Sequence, residues 1–455
     1  MLSNDKAVQG VETDTSKQPH GSDPSGLERA ENRMGKRAAL SGFFGSVIEF
    51  YDFTLYGTAA ALWFGALFFP ASSPTVGTLT ALATFGVAYI ARPAGAILFG
   101  HFGDKVGRKR VLQATVVLMG GSSALIGALP TYEMVGIAAP ALLVLCRLAQ
   151  GLSAGGEQIG ASLLTMEHSS DKKRTLYTSW TPNGSVVGAA LAAAVFIPIT
   201  ALPEEAQLSW GWRIPFLLSV ITVAFVWVLR RGVAESPVFE GQDREEKHPE
   251  KAPLAVVIRD HPRALFTVFI CAFIHMAAPL VSVFSLVVAE RFSAIGKAEM
   301  LTAITLSGVV SLFAVPIWAV VSNHIGQKRL WVVGSLLCAV GAIVLLGTIS
   351  YGSAALVILV TVLFKAVVFS CPLALSPVFY ARQFPPQVRY TGVGLAQQSS
   401  YVILGFIPAI CTALLGSGPL GWLPPAIFMC CMFVVAAIGG AWSRDFEQKD
   451  HVAPT

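Results

Sequence analysis

The chain has 455 residues, 54% hydrophobic and only 13% charged, with a mean hydropathy of +0.63 and a formal net charge of +5. A soluble domain carries about 25% charged residues, so this composition excludes a soluble globular protein. Many apolar runs reach the roughly 20 residues that cross a hydrocarbon core as helix, which points to an all-α integral membrane protein.

Residues 1–37 are polar, mixed in charge and broken by Gly, Pro and Ser, and read as a disordered cytoplasmic tail. No short apolar core with a small-residue cleavage site precedes the first long apolar run, so no cleaved leader is expected. The hydrophobic pattern then predicts spans over 38–69, 75–101, 110–130, 137–165, 176–201 and 211–230, a first bundle of six covering 38–230. Residues 231–263 form the longest polar interruption, a cytoplasmic linker. Spans over 264–290, 300–321, 330–350, 354–380, 391–416 and 421–443 give a second bundle covering 264–443, followed by a short tail over 444–455. The seven cysteines all fall in apolar segments without metal spacing and read as reduced.

Orientation follows from the basic residues. With both termini inside, the cytoplasmic segments hold 26 of the 32 Lys and Arg, against Arg291 and Lys297 in the outer loops. The positive-inside rule gives N-in, C-in, so the net positive charge is a topology signal and no nucleic-acid partner is implied.

The two halves echo each other. Gly103-Asp104-Lys105-Val106-Gly107-Arg108-Lys109-Arg110 follows span 2, and Ser322-Asn323-His324-Ile325-Gly326-Gln327-Lys328-Arg329 follows span 8, 219 residues later. Glu167 and Arg174 are echoed by Arg382 and Arg389 at an offset of 215. Two stretches sharing nearly one offset indicate duplication, the organisation of secondary transporters with a midplane site between halves.

Ionisable groups within spans are costly and mark function by default. Glu49 and Asp52 lie near the middle of span 1, three residues apart and hence on one face. Arg92 is in span 2, Arg147 and Glu157 are in span 4, and Lys365 is in span 10 at the place equivalent to Arg147. Three acids therefore meet three bases. Desolvation favours a neutral carboxyl and a neighbouring cation a charged one, so a gated site of this kind can load and release a proton. Asp52, Glu49 and Arg147 are the proton-coupling candidates. Arg92, Arg147 and Lys365 are the candidates for holding a substrate anion, since a guanidinium binds a carboxylate through two parallel hydrogen bonds. Tyr51, Tyr56, Asn183, Gln397 and Gln398 are candidate hydrogen-bonding groups, each equally readable as packing. His275 reads as either a proton relay or a satisfied buried histidine.

Several motifs carry a resemblance. The segment from Gly100 to Arg110 is similar to the loop 2–3 signature of the major facilitator superfamily, and Arg147-Leu148-Ala149-Gln150-Gly151 resembles a motif of its proton-coupled members. Glu49-Phe50-Tyr51-Asp52-Phe53, Ala91-Arg92-Pro93-Ala94-Gly95, Gly155-Gly156-Glu157, Trp210-Gly211-Trp212-Arg213-Ile214-Pro215-Phe216 and Glu235-Ser236-Pro237 resemble the metabolite:proton symporter family, nearest its shikimate-type branch. The resemblance implies two six-helix halves in a bacterial cytoplasmic membrane. It also implies symport of a small, anionic or zwitterionic metabolite driven by the proton gradient, with no cofactor. A single chain is expected to suffice. Asp104, Arg108, Glu167 and Arg174 are then a charge network latching the cytoplasmic face. In the second half Asn323, Gln327 and Arg382 replace three of these, so coupling and the main latch are expected in the first half.

A proton-independent facilitator or exporter of the same fold is the nearest alternative. An ATP-driven pump is disfavoured because no G-x-x-x-x-G-K-[ST] loop is present. An enzyme is disfavoured because no H-E-x-x-H motif occurs.

Overall fold

The lipid core offers no partner for backbone N–H and C=O groups, so apolar runs must satisfy them internally as helix. A computed structural model describes residues 24–70, 73–106, 108–155, 162–163, 165–166, 169, 173–231, 253–293 and 295–444. Side chains are described for these except at 24–34, 100–113, 222–223, 225–231 and 253. Among the described residues the chain forms twelve long helical rods and no strand.

In the first half these are α1 (24–68), α2 (Pro74–Val106), α3 (Arg108–Ala128), α4 (Ala138–Ala154), α5 (Arg174–Thr200) and α6 (Arg213–Arg231). The second half has α7 (Pro262–Phe292), α8 (Lys297–Ile325), α9 (Gln327–Tyr351), α10 (Ala354–Ala381), α11 (Arg389–Ala413) and α12 (Leu423–Trp442). Eight of the twelve are long and apolar enough to cross a bilayer by those measures alone, and the apolar parts of α3 and α4 are shorter. The protein is a multi-pass membrane protein.

Two boundaries differ from the sequence reading. Helix α1 starts at Pro24, so residues 24–37 continue the helix rather than belonging to the tail. Nine of these fourteen residues are Glu, Arg, Leu, Ala, Met or Lys, good helix formers that extend a helix already nucleated by the apolar run. The last part of the linker is also helical, over Pro253–Asp260, with Val257 buried and Leu254 and Ile258 exposed. Span 4 is observed over Ala138–Ala154, and the rest of its expected length to 165 lies largely outside the described residues.

Packing repeats between halves. Helix α1 packs on α5, α2 on α4 and α3 on α6; in the second half α7 packs on α11, α8 on α10 and α9 on α12. The halves meet along α1 with α7, α2 with α11, and α5 with α8. Glycine sets the closest approach within the first half. A Cβ at Gly151 would meet the Ala88 carbonyl, one at Gly155 the Arg92 carbonyl, and one at Gly95 the Leu152 carbonyl. The four-residue spacing of Gly151 and Gly155 thus lays α4 directly on the α2 backbone, the small-xxx-small mode of membrane helices. At the α8–α9 turn Gly326 takes φ 97°, where a side chain would be strained.

Candidate functional site

Glycine contact between α2 and α4 brings Arg92 and Arg147 into the centre of the first bundle, where both are fully buried. Arg92 donates from Nη2 to Glu49 on α1, forming a buried ion pair, and reaches the Ala154 carbonyl at 3.4 Å. Phe53, Tyr89 and Tyr401 surround its guanidinium, with ring centroids 5.3–5.5 Å away. A buried ion pair survives only where both charges are compensated, and the aromatic faces add cation–π attraction.

Arg147 has no carboxylate within ion-pair distance among the described residues. Its Nη1 donates to Gln150 Oε1 at 2.7 Å and its Nη2 to the Phe85 carbonyl at 2.8 Å. The guanidinium lies 4.0 Å from the Tyr56 ring centroid, and the Tyr56 hydroxyl is bonded to Thr84. Gln150 in turn donates to Ser123 at 2.7 Å, which fixes the amide orientation. The sequence reading quoted Gln150 only as part of a motif; one helical turn from Arg147, it is the partner that neutral hydrogen bonding requires. Asp52 is fully buried and accepts from Ser219 of α6 at 2.8 Å. Ser219, Ser123, Tyr89 and Tyr401 carry no signal in the sequence, because uncharged polar and aromatic groups occur throughout the spans.

Between the halves lies a small cavity of about 50 Å³, enough for a few waters. Phe53, Phe85, Tyr89, His275, Lys365 and Tyr401 are among the residues that line it. Lys365 is 2% exposed, and its Nζ has no hydrogen-bond partner among the described residues. It sits on a π-helical turn, Leu363–Phe369, within α10. His275 occupies a 3-10 stretch of α7, Ala272–Met276. Such irregular turns are frequent at functional sites, though α1 also has one at Ala60–Phe64, outside the cavity wall.

The remaining expected groups separate clearly. The Tyr51 hydroxyl donates to the Pro215 carbonyl of α6 at 3.4 Å, and Tyr56 lies under Arg147; neither is among the cavity residues. Asn183 donates across the halves to the Leu312 carbonyl at 3.0 Å, and Gln398 to the Gly155 carbonyl at 3.3 Å. Gln397 donates to the Tyr401 hydroxyl at 2.8 Å and so holds a cavity side chain in place. Asp104 ends α2 near its last residues and Arg108 opens α3, but their side chains lie outside the described residues, as do Glu157 and Glu167. Arg174 opens α5 at the expected end.

Residues 42–409 match the family model of the Major Facilitator Superfamily. The chain belongs to that superfamily. Within it the chain belongs to the metabolite:proton symporter family, as its curated relatives indicate. It is 33% identical over 419 residues to the "Shikimate transporter" of Escherichia coli (strain K12), covering 91% of this chain and 95% of the relative. It is 30% identical over 430 residues to the "Proline/betaine transporter" of the same strain, covering 91% and 84%. It is 32% identical to that strain's "Inner membrane metabolite transport protein YhjE", covering 81% and 84%. Among solved structures, a D-xylose-proton symporter superposes with a TM-score of 0.70 at 18% identity, covering 90% of this chain and 98% of that one. That likeness fixes the twelve-helix facilitator fold. Members of this superfamily move solutes across membranes and are not enzymes.

Proposed function

We propose that this facilitator imports a small organic acid through the cytoplasmic membrane together with protons, and that Lys365 anchors the substrate carboxylate. Charge accounting in the buried site carries the reading. Glu49 offsets Arg92, and Arg147 is met by Gln150, a carbonyl and an aromatic face. Among the described residues, Lys365 is buried with no hydrogen-bond partner at all on its charged tip. An unpaired buried cation is expensive, and a carboxylate would supply both the missing charge and the missing acceptor. Among the described residues the cavity wall offers a cation and no carboxylate, which favours an acid over a cationic solute.

Asp52, Glu49 and Arg147 form the proton-coupling set in this reading. Asp52 takes a proton from outside as the substrate anion enters, and releases it inward when the site opens to the cytoplasm. Arg92 keeps Glu49 in register, and Tyr56 and Gln397 orient Arg147 and Tyr401. Asp104, Arg108, Glu167 and Arg174 are proposed as the cytoplasmic latch. The relative named as an inner membrane protein supports that location. One chain contains the whole site, so a monomer is the proposed functional unit.

A second reading has a specific observation behind it. Phe53, Phe85, Tyr89 and Tyr401 line the cavity together with Lys365, and an aromatic wall would suit a quaternary ammonium carboxylate. Uptake into proteoliposomes under an inward proton gradient separates these readings. Accumulation of simple carboxylates that collapses with the gradient supports the acid symporter. Accumulation of betaine in their place supports the zwitterion, and uptake indifferent to the gradient supports a facilitator.

A further inference from the structure

We infer that His275 is a substrate-specificity residue, bonding a hydroxyl group of the transported acid while Lys365 holds its carboxylate. The inference rests on the carboxylate reading above and adds a second recognition point to it.

The internal repeat makes the position informative. Lys365 lies 218 residues after Arg147, and His275 lies 219 residues after Tyr56, the offset that relates the two loop signatures. The pair Tyr56–Arg147 comes from the first and fourth helices of the first half, and the pair His275–Lys365 from the first and fourth helices of the second. In the first half the pair is closed on itself. The Arg147 guanidinium rests 4.0 Å from the Tyr56 ring centroid, Gln150 and the Phe85 carbonyl take its protons, and the Tyr56 hydroxyl is bonded to Thr84.

In the second half the pair is left open. His275 Nε2 and Lys365 Nζ are both buried without a hydrogen-bond partner, and both residues line the cavity. His275 is 7% exposed, and its ring is braced edge-on by Tyr401 and Tyr380, with centroids 5.5 and 6.0 Å away. The ring is therefore held in place by packing rather than by hydrogen bonds at Nε2. Ser185 and Ser282, also in the wall, spend their hydroxyl protons on the Pro182 and Ala278 carbonyls. A buried polar atom left unbonded costs free energy that a matching ligand group recovers. An imidazole nitrogen can accept from or donate to a hydroxyl. An ammonium group is the poorer match, because it would sit beside Lys365 with no carboxylate among the described residues of the cavity wall to balance it.

The test uses the purified full-length chain in detergent and calorimetric binding of paired acids: lactate against propionate, and hydroxycyclohexanecarboxylate against cyclohexanecarboxylate. The wild type is expected to prefer a hydroxylated member by about tenfold, the worth of one buried hydrogen bond. His275→Leu brings that preference to about one while leaving the affinity for the plain acid within roughly threefold, and His275→Asn keeps part of it. A preference unchanged in His275→Leu overturns the inference, as does equal loss of both acids in His275→Leu and His275→Asn, which marks a purely structural histidine. If no carboxylate binds the wild type, or Lys365→Met binds as well as wild type, the underlying carboxylate reading fails instead.

Discussion

Lys365 and Arg147 occupy equivalent positions in the two halves but stand in opposite electrostatic situations. Arg147 has exchanged water for Gln150, the Phe85 carbonyl and the Tyr56 ring, while Lys365 has exchanged it for nothing among the described residues. A residue kept for binding is expected to cost stability, and Lys365→Met tests this. The variant should lose carboxylate binding and melt at the same or a higher temperature, by about 1–3 kcal/mol of relieved burial cost. Thermal unfolding in detergent with and without the acid provides both readings, and a large fall in melting temperature would show that Lys365 is structural.

The charged residues of the site were the most legible part of the sequence, because an ionisable group within an apolar run stands out. Their pairing was not legible. Glu49 and Asp52 share a face of α1, and three bases were available to each; only the approach of α2 and α6 assigns Arg92 to Glu49 and Ser219 to Asp52. Asn183 and Gln398 show the converse. Read as candidate hydrogen-bonding groups or as packing, each donates to a backbone carbonyl of the opposite half, while its amide oxygen has no partner among the described residues. A side chain's partner across a helix interface depends on register, which one sequence does not encode visibly.

At the scale of elements, backbone contact between α2 and α4 fixes where the site's cations stand. Gly151, Gly155 and Gly95 each lie against a carbonyl of the facing helix, and two of those contacts flank Arg92. Gly151→Leu should therefore push the helices apart and abolish a monodisperse peak in fluorescence-detected size exclusion. Gly121 has open space at its Cβ position, so Gly121→Leu should leave the peak intact. Equal tolerance of both substitutions would contradict the packing. The spacing of Gly151 and Gly155 announced this contact, but nothing announced the π turn at Leu363–Phe369 or the 3-10 turn at Ala272–Met276. Those irregularities arise where a helix adjusts its register to the neighbours around the cavity, and hydropathy is blind to them.

For the whole molecule, the cavity holds only a few waters, so a metabolite requires the halves to part. Their interface suits such motion. Gly57 meets Val283, Gly86 meets Phe406 and Gly405 meets Tyr89, contacts with side chains rather than backbone. Among the hydrogen bonds that cross it, Asn183 reaches the Leu312 carbonyl at 3.0 Å, and Gln327 reaches Thr175 at 3.1 Å. Cysteines at positions 183 and 312 in a cysteine-free background should cross-link and stop uptake, with recovery on reduction. Undiminished uptake by the cross-linked protein would rule out rocking of α5 against α8. The twofold plan itself was legible from the repeated loop signature and the charge of the loops, since both follow directly from composition. Among the described residues, the buried acids Glu49 and Asp52 belong to α1 and the open cation Lys365 to α10.

Proton coupling through α1 is the central claim, and Asp52→Asn tests it most directly. Proteoliposomes holding the variant would be assayed for accumulation of the transported carboxylate under an inward proton gradient, and for exchange of labelled against unlabelled acid at equal pH. The account predicts that exchange persists, because binding rests on Lys365, while accumulation falls by about tenfold or more to the equilibrium level. Full gradient-driven accumulation in Asp52→Asn would contradict it.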